Sequence, residues 1–119
     1  MLRNIILVAI GGGLGSVIRY STSFIFVTKK FPYATFSVNI IGSFLIGFLM
    51  GYIIRQANAQ TWQMLFVTGF CGGFTTFSAF SWEVVTMLQQ QRYATATLYI
   101  SATLIIGFLF TVLGFWLCK

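Results

Sequence analysis

Residues Gly69 to Glu83 read GFCGGFTTFSAFSWE, and they lie inside an apolar run where lipid should permit only helix. Three glycines (Gly69, Gly72 and Gly73) precede the threonine pair Thr75 and Thr76, the serines Ser78 and Ser81, and the phenylalanines Phe74, Phe77 and Phe80. The hydrocarbon core offers no water to amides and carbonyls that leave a helix. A break at this depth survives only against protein or a water-filled passage, and transporters and channels place ion sites at such breaks. The stretch therefore predicts a third membrane helix broken mid-membrane, at the glycines.

The rest of the chain fits around that segment. It has 119 residues, 58% hydrophobic and only 7% charged, against about a quarter charged in a soluble domain. That length allows four short spans in one domain and little outside them. The expected spans are residues 4–27, 34–54, 62–88 and 93–117, giving an all-α membrane protein of four transmembrane helices. Pro32 breaks the first connection, and polar loops RQANAQ (Arg55 to Gln60) and QQQR (ending at Arg92) supply the others. Trp62 to Leu88 would reach about 40 Å as unbroken helix, against a hydrocarbon core of about 30 Å. That surplus accommodates a non-helical turn. Trp62, Trp82, Tyr93 and Trp116 fall near span ends, where interfacial aromatics belong. The first apolar run is too long for a cleavable signal.

The absences exclude several function classes. The chain has no His, and Glu83 is its single carboxylate side chain. No Ser-His-Asp arrangement, paired carboxylates or His/Cys metal cluster can be built from one copy, so an enzyme is not expected. Cys71 and Cys118 read as small apolar packers. The seven Lys and Arg are scattered, most of them beside span ends as anchors, with Arg19 inside a span, and without the basic, base-stacking patch of a nucleic-acid binder. With four spans, Arg3, Arg55 and Lys119 share one side of the membrane and Lys29, Lys30 and Arg92 the other. The positive-inside rule then has nothing to act on. Such a chain can insert both ways and pair as an antiparallel, dual-topology dimer; an even split by chance is the alternative.

Several side chains carry two readings each. Gly11 and Gly15, and the row Asn39, Ser43, Gly47 and Gly51, have the spacing that lets helices approach closely in lipid. Asn39 also brings an amide to mid-span, which needs partners and can offer N–H donors to an anion. Arg19 either snorkels to the interface or gives a vestibule a positive potential. Phe74, Phe77 and Phe80, at a spacing of three, are expected along one helix face. They either pack or turn electropositive ring edges into a passage, with Thr76 and Ser78 hydroxyls beside them. Tyr99, Thr103 and Thr111 share a face of the fourth span, as a polar track or as hydroxyls bonded back to their own helix. Glu83 stands near the outer end of the third span, where it either tunes ion entry or pairs with a cation.

The runs GFCGGFTTFSAFS, TFSVNIIGSFLIG (Thr35 to Gly47) and GGGLGSVIRY (Gly11 to Tyr20) together resemble the Fluc/CrcB fluoride channel family, in its order and spacing along essentially the whole chain. The resemblance implies an antiparallel, dual-topology homodimer in a bacterial inner membrane that lets fluoride leave the cytoplasm passively and so relieves its toxicity. It also implies two anion pathways and a central structural sodium ion held by backbone carbonyls of Gly72 and Thr75 from both subunits. The family's pathway phenylalanines match Phe77 and Phe80, its pore asparagine Asn39, its vestibule cation Arg19, its acid near the pore mouth Glu83 and its polar track Tyr99, Thr103 and Thr111. Ala79 stands where many members carry a threonine, and Gly107 where a hydroxyl often completes the track. Two rivals remain at this point. A proton-coupled exporter of small cations would want an intramembrane carboxylate; a helix-packing subunit would leave the mid-span break and Asn39 without a role.

Overall fold

The computed structural model describes residues 1–26 and 30–118. The elements run α1 (Leu2–Thr22), α2 (Tyr33–Ile53), α3 (Ala59–Trp62), a π-helical stretch (Gln63–Cys71), α4 (Gly72–Phe74), α5 (Phe77–Gln89) and α6 (Tyr93–Leu117). Among the described residues all regular structure is helical. Four segments are long and apolar enough to cross a membrane: α1, α2, the composite Ala59–Gln89 and α6. The molecule is a multi-pass membrane protein, 51 Å along its longest axis, which covers a bilayer with its headgroups at about 40–45 Å. α1 stops at Thr22 rather than running on to Val27. Val27, Thr28, Lys29 and Lys119 lie outside the described residues.

The helices pair in two sets. α1 packs along the π-helical stretch and α4, α2 packs along α6, and α1 barely touches α2. Lipid tails are as apolar as leucine, so burial does not drive these contacts; close packing does. Glycine makes it possible. A Cβ on Gly11 would overlap Leu65 O and lie 2.8 Å from Phe70 N. One on Gly15 would overlap Phe70 O and lie 2.7 Å from Phe74 N. In the other pair, a Cβ on Gly47 would overlap Thr111 O, and one on Gly114 would overlap Phe44 O. Each helical glycine forgoes about 1 kcal/mol of propensity against alanine, offset here by backbone-to-backbone contact that a methyl would forbid.

The third span departs from the sequence expectation in three ways. Its helix begins at Ala59, not near Trp62. Its first half is wound as a π-helix, a geometry that is rare and concentrated at functional sites; Gly69 within it and Gly73 beyond it both lie against α1. The break is not at the glycines. Gly72 and Gly73 are helical, and the chain leaves the helix at Thr75 (φ −87°, ψ 157°) and Thr76 (φ −151°, ψ 116°). The glycines serve contact with α1, and the β-branched pair, poor in helices, takes the extended backbone. Since Phe74 precedes the break and Phe77 follows it, the three phenylalanines do not lie along one helix face.

Local signals set the ends. Thr76 N-caps α5, its Oγ1 accepting the Ala79 amide at 3.2 Å. α5 closes with Gln91 at φ 60°, Arg92 N donating to Met87 O at 2.9 Å and Gln91 N to Leu88 O at 3.1 Å, the paired bonds of a Schellman ending. The Arg3 guanidinium reaches the Thr61 hydroxyl at one end of the bundle, and the Arg92 guanidinium reaches Lys30 O at the other. The described core lies between α5 and α6, where Phe80, Met87, Ala96 and Tyr99 are buried beneath Phe31, Phe36, Val84 and Ile100.

Candidate ion site at the broken third span

The break releases main-chain oxygens. In an unbroken helix Gly72 O would accept from the amide of Thr76; that amide instead donates to Asn39 Oδ1 at 2.9 Å. No helical turn bridges Thr76, so the carbonyls of Gly72, Gly73, Phe74 and Thr75 leave the ladder. Side chains from two other helices hold the freed strand. Asn39 Nδ2 donates to Thr76 O at 3.2 Å, so one amide closes on both polar groups of Thr76. Arg19 Nε donates to Gly73 O at 3.0 Å, with Ser16 Oγ 3.5 Å from the same oxygen. Thr75 Oγ1 donates to Cys71 O at 2.8 Å. Thr76 Oγ1 lies 3.2 Å from Ser78 Oγ, and Ser78 is exposed.

Against the break lies an open groove of about 450 Å³, lined on the break side by Gly72, Thr75, Thr76, Phe77 and Phe80, and by Asn39 and Thr103 from α2 and α6. No Asp, Glu, Lys or Arg lines it. Its polar groups are amide, hydroxyl and peptide, groups that solvate an ion without fixing a counter-charge. Thr103 Oγ1 is shielded from solvent and has no hydrogen-bond partner, the one such side-chain atom among the described residues. A buried hydroxyl without a partner is costly and calls for a reason. A smaller cavity of about 280 Å³ lies on the other side of Thr76, lined by Ser16, Arg19, Tyr20, Thr35 and Ala79 among others.

The remaining predicted residues fall into distinct settings. Phe80 is buried and meets Tyr99 edge-on, ring centroids 5.0 Å apart, whereas Phe77 is 78% exposed. Glu83 does not reach the groove. Its Oε1 accepts from Tyr99 Oη and its Oε2 from Thr35 Oγ1, both at 3.1 Å, and its cavity is the one near Trp82 and Arg92. The α6 row is likewise divided. Tyr99 is committed to Glu83, Thr111 Oγ1 bonds back to Gly107 O at 3.1 Å, and Thr103 lines the groove with its hydroxyl shielded from solvent. Gly107 is where α2 comes close, a Cβ there lying 3.5 Å from Ser43 Oγ.

Thr35 and Thr68 were not singled out from sequence. Thr35 precedes Asn39 by one turn and Ser43 follows it by one, so the polar row on α2 runs a turn further than the small-residue pattern suggests. Thr68 precedes Gly72 by one turn and lines the same groove.

The comparisons with known proteins agree with one another. The family model described as "CrcB-like protein, Camphor Resistance (CrcB)" matches residues 6–115. A protein of Flavobacterium psychrophilum named "Fluoride-specific ion channel FluC" is 43% identical over 122 residues, covering 99% of this chain and 98% of that one. Proteins of the same name from Azobacteroides pseudotrichonymphae (42% over 123 residues, 100% of this chain and 98% of that one) and Escherichia coli strain HS (43% over 120 residues, 98% and 94%) are similar along their length.

Proposed function

The chain belongs to the CrcB family, and from that membership we propose that it is a passive, fluoride-selective channel rather than an enzyme or a coupled exporter. The observation that carries this reading is the groove beside the break: neutral donors and aromatic rings at mid-membrane with no acid in its lining. Moving a carboxylate-sized ion into low dielectric costs on the order of 20 kcal/mol in the idealised limit, and fluoride is smaller. Its lost water is replaced by Thr103 and Thr76 hydroxyls, the Asn39 amide and the ring edges of Phe77 and Phe80, each weak enough to release it. Glu83, the single carboxylate, is engaged by Tyr99 and Thr35 away from the groove. That disfavours proton exchange with the cargo.

A structural sodium ion fits the donor set. Gly72 and Thr75 line the groove, and no helical bond claims their carbonyls; neutral main-chain oxygens suit a small hard cation. No cluster of His, Cys, Asp or Glu exists among the described residues to hold a softer metal. When bound, the ion supplies a fixed positive charge at mid-membrane. The residues do the rest: Asn39 and Arg19 keep the strand extended, and Thr75 Oγ1 is turned back on Cys71 O. In this reading two copies, inserted in opposite senses, cover each other's open grooves and the exposed Phe77, giving two pores. Charge balance across the membrane supports dual insertion. The setting is a bacterial inner membrane and the direction is outward from the cytoplasm, relieving fluoride toxicity.

Purified protein in liposomes is expected to pass fluoride, reject chloride and carry current without a proton gradient. Equal chloride and fluoride flux, or strict dependence on a proton gradient, would overturn the reading. Phe77→Ile and Phe80→Ile remove ring edges worth about 0.5–1.5 kcal/mol and are each expected to lower flux by up to about tenfold. Thr103→Val is near-isosteric and removes the unpartnered hydroxyl. It is expected to lower flux by about tenfold, the worth of one hydrogen bond, without lowering the thermal midpoint. A lower midpoint with unchanged flux would assign Thr103 to packing.

A further inference from the structure

Arg19 lines the smaller cavity beside Thr76, and its Nε–H is committed to the Gly73 carbonyl. The residues that carry the freed carbonyls fall on two faces. Gly72 and Thr75 line the groove, whereas Gly73 does not. Gly73 is pressed on α1, where a Cβ would stand 2.9 Å from Gly12 Cα, and its oxygen takes the guanidinium with Ser16 beside it. Successive carbonyls point in different directions where the helical Gly72–Phe74 gives way to the extended Thr75, so holding Gly73 O fixes the peptide planes beside it.

We propose that Arg19 is a positioning residue for the cation site: by drawing the Gly73 carbonyl toward α1, it leaves those of Gly72 and Thr75 for the ion. This rests on the sodium reading above. Arginine suits the task because its planar fork offers a rigid, permanently charged donor, and a hydrogen bond from a charged group is stronger than a neutral one. The alternative, a charge that merely attracts anions, predicts the opposite sign. A bare positive charge near a cation site repels the cation, so neutralising it should tighten sodium binding. A positioning residue, once removed, loosens it.

The test is thermal unfolding of the full chain, purified in detergent, against sodium concentration, with a large organic cation keeping ionic strength constant. Arg19→Gln is expected to raise the sodium midpoint about tenfold and to regain most wild-type stability at saturating sodium. Arg19→Lys keeps the charge but loses the fixed Nε–H, and is expected to raise the midpoint too. It also keeps the test open if the glutamine variant does not fold. Midpoints unchanged or lowered in the variants overturn the inference while leaving the sodium site standing. A stability deficit equal in both cations, with no midpoint shift, also overturns it, since that is what a merely structural contact gives. Wild-type protein whose stability ignores sodium overturns the sodium reading itself, and this inference with it.

Discussion

Asn39→Ala and Asn39→Asp are each expected to cut fluoride flux by at least about a hundredfold. Asn39 clamps both main-chain polar groups of one extended residue, donating to Thr76 O at 3.2 Å and accepting from Thr76 N at 2.9 Å. Alanine deletes both bonds at a depth where water does not replace them. Thr76 N is left without a partner, at about 1–3 kcal/mol, while Thr76 O, the N-cap carbonyl of α5, keeps its helical bond and loses one worth about 0.5–1.5 kcal/mol; together they reach the hundredfold range. Aspartate isolates the donor. It keeps an acceptor for Thr76 N but turns a second oxygen on Thr76 O, and it places a charge at mid-membrane that costs about 2.5–3.5 kcal/mol by insertion scales and repels the permeant anion. The measurement is fluoride efflux from liposomes per unit of monodisperse protein. Flux above half of wild type in Asn39→Ala would show that the break holds its shape without the clamp.

The architecture was legible because its signals are dense. Four apolar stretches, a single proline, interfacial tryptophans and the GGFTTF run point to four helices with the third interrupted. What sequence misplaced was the cause of the interruption. Glycine reads as a breaker, yet Gly69 and Gly73 sit in helical backbone because α1 comes within contact of them. In lipid a glycine is at least as much a docking surface as a hinge. The π-helical winding of Gln63–Cys71 was illegible too: no residue pattern marks it, and in the fold that stretch packs along α1. Gln91 shows the same limit on a smaller scale, taking a left-handed position that usually reads as glycine.

At the site, residue identities could be read but their partners could not. The amide of Asn39 announced a need for hydrogen bonds; only the fold shows that Thr76 meets it. Arg19 allowed snorkelling or a vestibule; in the fold it lines a cavity and its Nε reaches the Gly73 carbonyl, a main-chain acceptor that no side-chain pattern reveals. The α6 row had one spacing and three outcomes: Tyr99 bonds across to Glu83, Thr111 bonds back within its helix, and Thr103 lines the groove with its hydroxyl shielded and unpartnered. Periodicity places a side chain on a face, and the neighbouring helix then decides its chemistry.

Gly73→Ala follows from that distinction and carries the other large effect. If Gly73 were the flexible point of the break, alanine would stiffen it and leave packing alone. In the fold its backbone is helical, and a Cβ would overlap Gly12 O and stand 2.9 Å from Gly12 C. The obstacles are main-chain atoms of α1, which no rotamer change can move aside. Relief requires α1 to shift away from the third span, which also loosens the Gly11 and Gly15 contacts and draws Arg19 off the Gly73 carbonyl. Overpacking alone costs about 1–3 kcal/mol, and the lost charged hydrogen bond adds about 1.5–3 kcal/mol. These sum to several kcal/mol, a large part of the roughly 5–15 kcal/mol that holds a folded domain together. Gly73→Ala is therefore expected to yield little monodisperse protein and a much reduced thermal midpoint. Gly13→Ala in the same helix, where a Cβ meets nothing within 4 Å, is expected to behave as wild type. A normal midpoint for Gly73→Ala would mean that α1 does not press on the third span as closely as this packing requires.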